Sequence, residues 1–322
     1  HLTCPGVPET FTITVNPSPA VNQPANQVLC NNTTANITAF TGTVSGAIYN
    51  WVNNNPSIGL AASGSGNITS FIAINTGNIP VTATITVTPS FAVCPGIPRT
   101  FTITVNPTPD VAQPANQALC NAAVSNPVTF TGQINGTIYN WTNNNPSIGL
   151  AASGTGNIPS FTAINTGSTM VTANITVTPT AAGCPGTPKS FTIRVNPTPN
   201  VVRPADQTLC NNAVTNAVGF SSSVTGTIFV WTNNNPSIGL AATGNGNIPA
   251  FRAVNTGTVP VTATITVTAT ATGCSGNPES FTITVNPTPN INQPANQSLC
   301  NGSVTTAIAF AGAVSNTAFA WN

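Results

Sequence analysis

Charge is almost missing from this chain. Of 322 residues, five are Lys or Arg and four are Asp or Glu, about 3% in all, against roughly a quarter in an ordinary globular domain. The formal net charge of +1 excludes an electrostatic footprint for nucleic acid or anionic lipid. Catalysis needs titratable groups held close together. Here the carboxylates are scattered at Glu9, Asp110, Asp206 and Glu279, and the one histidine is His1. That spacing excludes a paired-acid site, a catalytic triad or a carboxylate cage for calcium, so neither an enzyme nor a metal or other cofactor is expected. Close cysteine pairs are also missing: the nearest two are 30 − 4 = 26 residues apart, which excludes a zinc site. Apolar runs fall well short of the roughly 20 residues of a membrane span, being broken by Thr, and no segment has a helical period. The Gly64-Ser-Gly66 stretch has the outline of a phosphate loop but lacks a Lys and precedes a strand, not a helix.

What the chain has is repetition. Cys4, Cys94, Cys184 and Cys274 are spaced by 94 − 4 = 90 residues, and Cys30, Cys120, Cys210 and Cys300 keep the same interval. Trp51, Trp141, Trp231 and Trp321 do so too, with no insertion or deletion between copies. A period this long is a complete small domain in tandem, not a solenoid turn. The expected organisation is residues 1–17 as the last strand of a preceding repeat, domains at 18–107, 108–197 and 198–287, and a truncated fourth at 288–322. Starting three residues before one repeat-defining Cys and stopping just after a repeat-defining Trp, the sequence reads as an interior piece of a longer protein.

Each repeat reads as strands. Val81-Thr-Ala-Thr-Ile-Thr-Val-Thr88 alternates apolar and polar residues, and Phe101-Thr-Ile-Thr-Val105 resumes the pattern after a Cys-, Pro- and Gly-rich loop, so the two are expected as antiparallel neighbours. Ala47-Ile-Tyr-Asn-Trp51 reads as a central strand with Tyr49 and Trp51 on one face. Asn36–Phe40 and Ser70–Ile74 supply two more. Asn53-Asn-Asn-Pro-Ser-Ile-Gly-Leu60 reads as turn chemistry. Differences between copies separate inside from outside: Thr104 becomes Arg194, Ile72 becomes Thr162 and Arg252, and Glu9, Arg99, Lys189 and Glu279 share one position, so all three sites face water. About seven short strands per repeat with a Trp on the third predict an all-β fold of tandem immunoglobulin-like β-sandwiches, with Trp51, Trp141 and Trp231 as core residues and not sugar-stacking platforms. The Asn-Pro-Thr-Pro linkers, as at Asn106–Pro109, favour extended, semi-rigid connections. Each domain then adds about 35–45 Å to a rod, from strands of about 30 Å.

The regular cysteines imply an oxidising, extracellular setting. Two pairings are open. Within one sandwich, Cys30 joins Cys94, Cys120 joins Cys184 and Cys210 joins Cys274, each closing 94 − 30 = 64 residues. The other joins Cys4 to Cys30 across a linker, and a bond between chains is a third arrangement. The first is the expectation, because a linker-crossing bond requires strand, linker and strand to double back. It carries a tension, since in a plain immunoglobulin topology the two loops concerned lie at opposite ends, so Cys30 must sit some way along the sandwich. For surface contact, the candidate face is Thr82, Thr84, Thr86, Thr102 and Thr104, with hydroxyls and methyls on one flat side. The plain role of Thr there is that of a solvent-facing strand residue.

The run from Tyr139 to Gly154, the Cys-Pro-Gly-Thr-Pro at Cys184 to Pro188, and the recurring Phe-Thr-Ile-Thr-Val-Asn-Pro-Thr-Pro resemble PKD-like repeats of large surface and secreted proteins of Bacteroidota, including gliding-type adhesins exported by the type IX system. The resemblance implies an immunoglobulin-like fold, a cell-surface location and an adhesive or filament-forming role. One departure is that Trp51 leads into Val-Asn-Asn-Asn, where the better-known motif continues Asp-Phe-Gly-Asp-Gly. Expected partners are neighbouring repeats, like chains in a filament, or surface glycans and proteins, with no nucleic acid and no membrane insertion. A repeated binding module acting by avidity is the alternative, and an accessory segment of a polysaccharide-degrading enzyme a third class.

Overall fold

The computed structural model of the chain describes residues 5–322. It is a tandem array of all-β, immunoglobulin-like sandwiches, each holding one six-stranded sheet. In the first domain the strands are β1 (Gln27–Cys30), β2 (Ile48–Asn53), β3 (Ser63–Ser65), β4 (Val81–Phe91), β5 (Cys94–Pro95) and β6 (Arg99–Asn106). The second repeats them as β7 (Gln117–Cys120), β8 (Ile138–Asn143), β9 (Ser153–Thr155), β10 (Val171–Ala181), β11 (Cys184–Pro185) and β12 (Lys189–Asn196). The third repeats them as β13 (Gln207–Cys210), β14 (Ile228–Asn233), β15 (Thr243–Asn245), β16 (Val261–Ala271), β17 (Cys274–Ser275) and β18 (Glu279–Asn286).

The sheet order is β1-β6-β4-β2-β3, with β5 folded back on β4 as a hairpin. The alternating run becomes β4, antiparallel to β6 with Ile85 opposite Phe101, and β2 lies on its other side with Trp51 opposite Val87. β1 runs parallel to β6, Cys30 lying beside Asn106. Ala83, Ile85, Val87, Phe101, Ile103 and Val105 point inward and are buried, while the intervening Thr residues point out. Arg99 opens β6 instead of lying in a loop, exposed as its variability requires.

The facing layer departs from the expected strands. Asn36–Phe40 and Ser70–Ile74 meet only through isolated bridges at Thr34–Ile72 and Thr38–Ile68. Side-chain oxygens replace ladder partners there: Phe40 N–H donates to Asn67 Oδ1 (2.9 Å), and in the second domain Phe161 N–H donates to Ser125 Oγ (3.0 Å). Such local competition by Asn and Ser is what breaks a ladder into bridges. Ile72 is exposed and Phe71 packs on the core, as the copy-to-copy differences require. Residues 5–17, expected as a last strand, and residues 288–322 carry no strand.

Candidate functional site at the domain junctions

The expected disulfide pairing is not the one the fold makes. Cys30 bonds Cys184 and Cys120 bonds Cys274, each across a junction between adjacent domains, with Cα–Cα distances of 5.5 and 5.6 Å. The within-sandwich pairs Cys30–Cys94, Cys120–Cys184 and Cys210–Cys274 do not form, for a geometric reason. Cys30 lies beside Asn106 at one end of β4, where Val81 pairs with Val105, whereas Cys94 pairs with Phe91 at the other end. The 91 − 81 = 10 residues of β4 between them span about 33 Å, far beyond the roughly 7 Å limit for a disulfide. The opposite-ends topology therefore holds, and the next domain brings the partner: its hairpin end sits on the outgoing end of the domain before it. Cys4 lies outside the described residues, but Cys94–Cys120, the repeat of the Cys4–Cys30 scheme, is not made. Among the described residues Cys94, Cys210 and Cys300 have no disulfide partner.

Local sequence builds this junction. Ala182 and Gly183 both have positive φ, 47° and 79°, making the tight two-residue turn that presents Cys184. The linker passes directly over Gly186, where a Cβ would collide with the Pro109 carbonyl oxygen, and Gly96 and Gly276 lie likewise under Pro19 and Pro199. In Asn106-Pro107-Thr108-Pro109, all but Thr108 are buried. Thr108 Oγ1 accepts from Asn31 Nδ2 (3.0 Å), a bond repeated at Asn121–Thr198 (3.2 Å) and Asn211–Thr288 (3.0 Å). Asn106 Nδ2 reaches across to the Ala182 carbonyl (3.4 Å). The first junction leaves a cleft lined by residues such as Asn78, Pro80, Gln133 and Ala182, none of them titratable.

The other candidates resolve as structure. Trp51, Trp141 and Trp231 are buried, each with its indole against a glycine: Trp51 pairs in register with Gly64, where a Cβ would overlap the indole ring. Gly64 is thus the seat of the Trp, a role its loop-like sequence does not announce. The three indole Nε1 groups are buried without a hydrogen-bond partner. The amides of Asn53-Asn-Asn55 are all engaged within the fold. Asn53 Nδ2 donates to Leu60 O (3.0 Å), Asn54 Oδ1 accepts from Thr84 N–H (2.8 Å), and Asn55 Oδ1 accepts from Ser57 Oγ (2.7 Å). Sequence reasoning missed Asn75, Asn165 and Asn255. Asn75 Nδ2 donates to Val105 O (2.7 Å) and Ile79 O (2.8 Å), and its Oδ1 accepts from Gly77 N–H (3.0 Å), tying the facing layer to β6. The recurring Asn-Thr-Gly at each of these positions was the available signal.

Thr82, Thr84, Thr86, Thr102 and Thr104 share the outer face as cross-strand pairs, Thr82–Thr104, Thr84–Thr102 and Thr86–Thr100. The first pair is joined Oγ1 to Oγ1 at 2.9 Å, so part of its hydrogen-bonding capacity is spent within the sheet. In the second domain Arg194 and Asn174 interrupt the hydroxyl array. On the third, Arg203 pairs with Asp206 (2.9 Å), while Thr282 N–H donates to Asp206 Oδ1 (2.7 Å). That backbone bond first, and the Arg203 guanidinium second, hold the Asp206 carboxyl below its ordinary range. Among the described residues there is no group of three or more His, Cys, Asp and Glu able to hold a metal, and no helix is long and apolar enough to cross a membrane.

Comparison with known proteins agrees with this architecture. The model of the PKD-like domain family matches residues 117–199 and 207–289. No curated protein sequence matches. Among solved structures, a three-immunoglobulin-domain segment of titin, in a mutated variant, is similar with a TM-score of 0.51 at 9% identity, covering 84% of this chain and 98% of that one. Mouse cadherin-23 domains EC22–24 give 0.37 at 11% identity, covering 85% and 100%. At these identities the titin likeness is one of fold alone.

Proposed function

The chain belongs to the PKD-like domain family, and from that premise we propose that it is a non-enzymatic extracellular stalk or filament segment whose product is reach. One observation carries the reading: each of the two complete junctions is closed by a buried proline linker and by a Cys–Cys bond between adjacent domains. A binding array on flexible tethers has no use for such locked geometry, whereas a rod does. Disulfides call for an oxidising compartment, which supports an extracellular location. The resemblance to Bacteroidota surface repeats extends the proposal to adhesins exported by the type IX system. Small-angle scattering tests it: an oxidised three-domain chain should scatter as a rod of about 35–45 Å per domain, and a compact globule would overturn the reading. A second reading, avidity toward glycans or proteins, is favoured by the outward Thr pairs recurring on the first and third domains. A glycan array and a pull-down that both came up empty would remove it.

A further inference from the structure

Following the cysteines along the chain, instead of across each domain, exposes two covalent lines. The first runs from Cys94 through β6, the linker and β7 to Cys120, then through the disulfide to Cys274, and on through β18 to Cys300. The second reaches Cys30 through β1, crosses to Cys184, and continues through β12, the linker and β13 to Cys210. Each stretch between bridging positions is short, 120 − 94 = 26 and 210 − 184 = 26 residues, yet each traverses two domains.

Both lines are already extended. Within the second domain, Cys184 lies opposite Ala181 and Val195 opposite Val171, so 195 − 184 = 11 residues advance alongside 181 − 171 = 10 residues of β10. Beyond the linker the line stays straight: Pro199 lies on Gly276, Arg203 Nε bonds Ser280 O, Gln207 pairs with Ile283 and Cys210 with Asn286. The two lines run side by side in every domain, which is why β1–β6, β7–β12 and β13–β18 are the parallel pairs in otherwise antiparallel sheets. Everything else lies off both lines, at 31–93, 121–183 and 211–273, and includes each core Trp and each β2–β4-type hairpin.

We propose that the junction disulfides turn the array into a two-rail tether that carries tension past the sandwich cores, so that pulling does not unfold the domains. A strand rises about 3.3 Å per residue and a fully stretched chain reaches at most about 3.6 Å, so the rails hold slack of only about a tenth of their length. A domain on a rail has nothing further to release. Without the bonds the same tension passes through all 90 residues of each repeat, and every domain that opens pays out about 300 Å of chain.

The proposal rests on disulfide connectivity, not on the stalk role. Scattering tests the shape and pulling tests the rails, so one can fail without the other. A Cys4→Ser/Cys210→Ser variant leaves the thiols of Cys94 and Cys300 for thioether handles in a single-molecule trap. Oxidised, the path between handles is two 26-residue segments joined by Cys120–Cys274, about 180 Å when taut, and stretching should show no domain-release steps. Reduction of the same folded molecules, or Cys120→Ser with Cys274→Ser, opens the path to 300 − 94 = 206 residues. The stretched length should then rise about fourfold to about 700 Å, with stepwise domain release. Release steps of the same size in the oxidised molecule would overturn the proposal. So would non-reducing peptide mapping that found Cys120 joined to Cys184.

Discussion

Replacing Gly154 by Ala tests whether the core Trp dictates the glycine opposite it. Gly154 pairs with Trp141 between β9 and β8, and a Cβ there would overlap three atoms of the indole ring. The indole has little room to yield, since Trp141 is 6% exposed and packed among Ile158, Val177 and Phe191. Either β9 shifts outward or the indole leaves its rotamer, and overpacking of this kind costs about 1–3 kcal/mol. Trp141→Ala removes a large buried side chain and costs about 3–5 kcal/mol. In the Gly154→Ala/Trp141→Ala double variant the new methyl projects into the space the indole left, so the double should cost less than the sum of the singles by about 1–3 kcal/mol. Hydrogen exchange read by mass spectrometry assigns the loss to peptides of β8–β10, with the first and third domains of the same molecule as internal controls. Strict additivity, or a Gly154→Ala variant as protected as the parent, would refute the reasoning.

Two further outcomes follow from buried amides and from the one shifted carboxylate. Asn165→Leu leaves the Val195 and Thr169 carbonyls and the Gly167 N–H without the partner they have, at 2.8, 2.7 and 3.0 Å, and should destabilise the second domain by about 2–4 kcal/mol in denaturant titration. An unchanged midpoint would mean water replaces the amide. Asp206 has a folded pKa below its unfolded value, so its contribution is present above the ordinary carboxylate range and is lost as pH falls through the depressed value. Asp206→Asn restores the residue found at Asn26 and Asn116, whose side chains accept from Thr102 and Thr192 N–H in the same way, so the fold is kept. The variant should lose less stability than the parent on acidification in thermal melts at a pH series, and identical acid limbs would contradict the assignment.

Much of the fold was legible in the sequence because period-two alternation is a local property. Val81–Thr88 and Phe101–Val105 declare which side is buried whatever else surrounds them, and their register then follows. The facing layer was less legible, since Asn67 and Ser125 satisfy backbone groups that a pattern of apolar residues assigns to a ladder. Gly64 and Asn75 were visible as repeated residues, but their roles were not, because each serves a partner distant in the fold: the Trp51 indole and the Val105 carbonyl.

The sequence by itself determined the ninety-residue period, the strand faces and the near absence of charge, and so a row of uncharged sandwiches. The cysteine pairing was decided only by tertiary structure. Cys30 and Cys94 belong to one domain in the sequence, but β4 holds them at its opposite ends, about 33 Å apart. A partner within bonding distance exists only once a second domain stacks on the first and sets its Cys184 hairpin against the end of β1. Repetition specified the domains. Stacking joined them, because a disulfide depends on which ends meet and not on which residues are near in the chain.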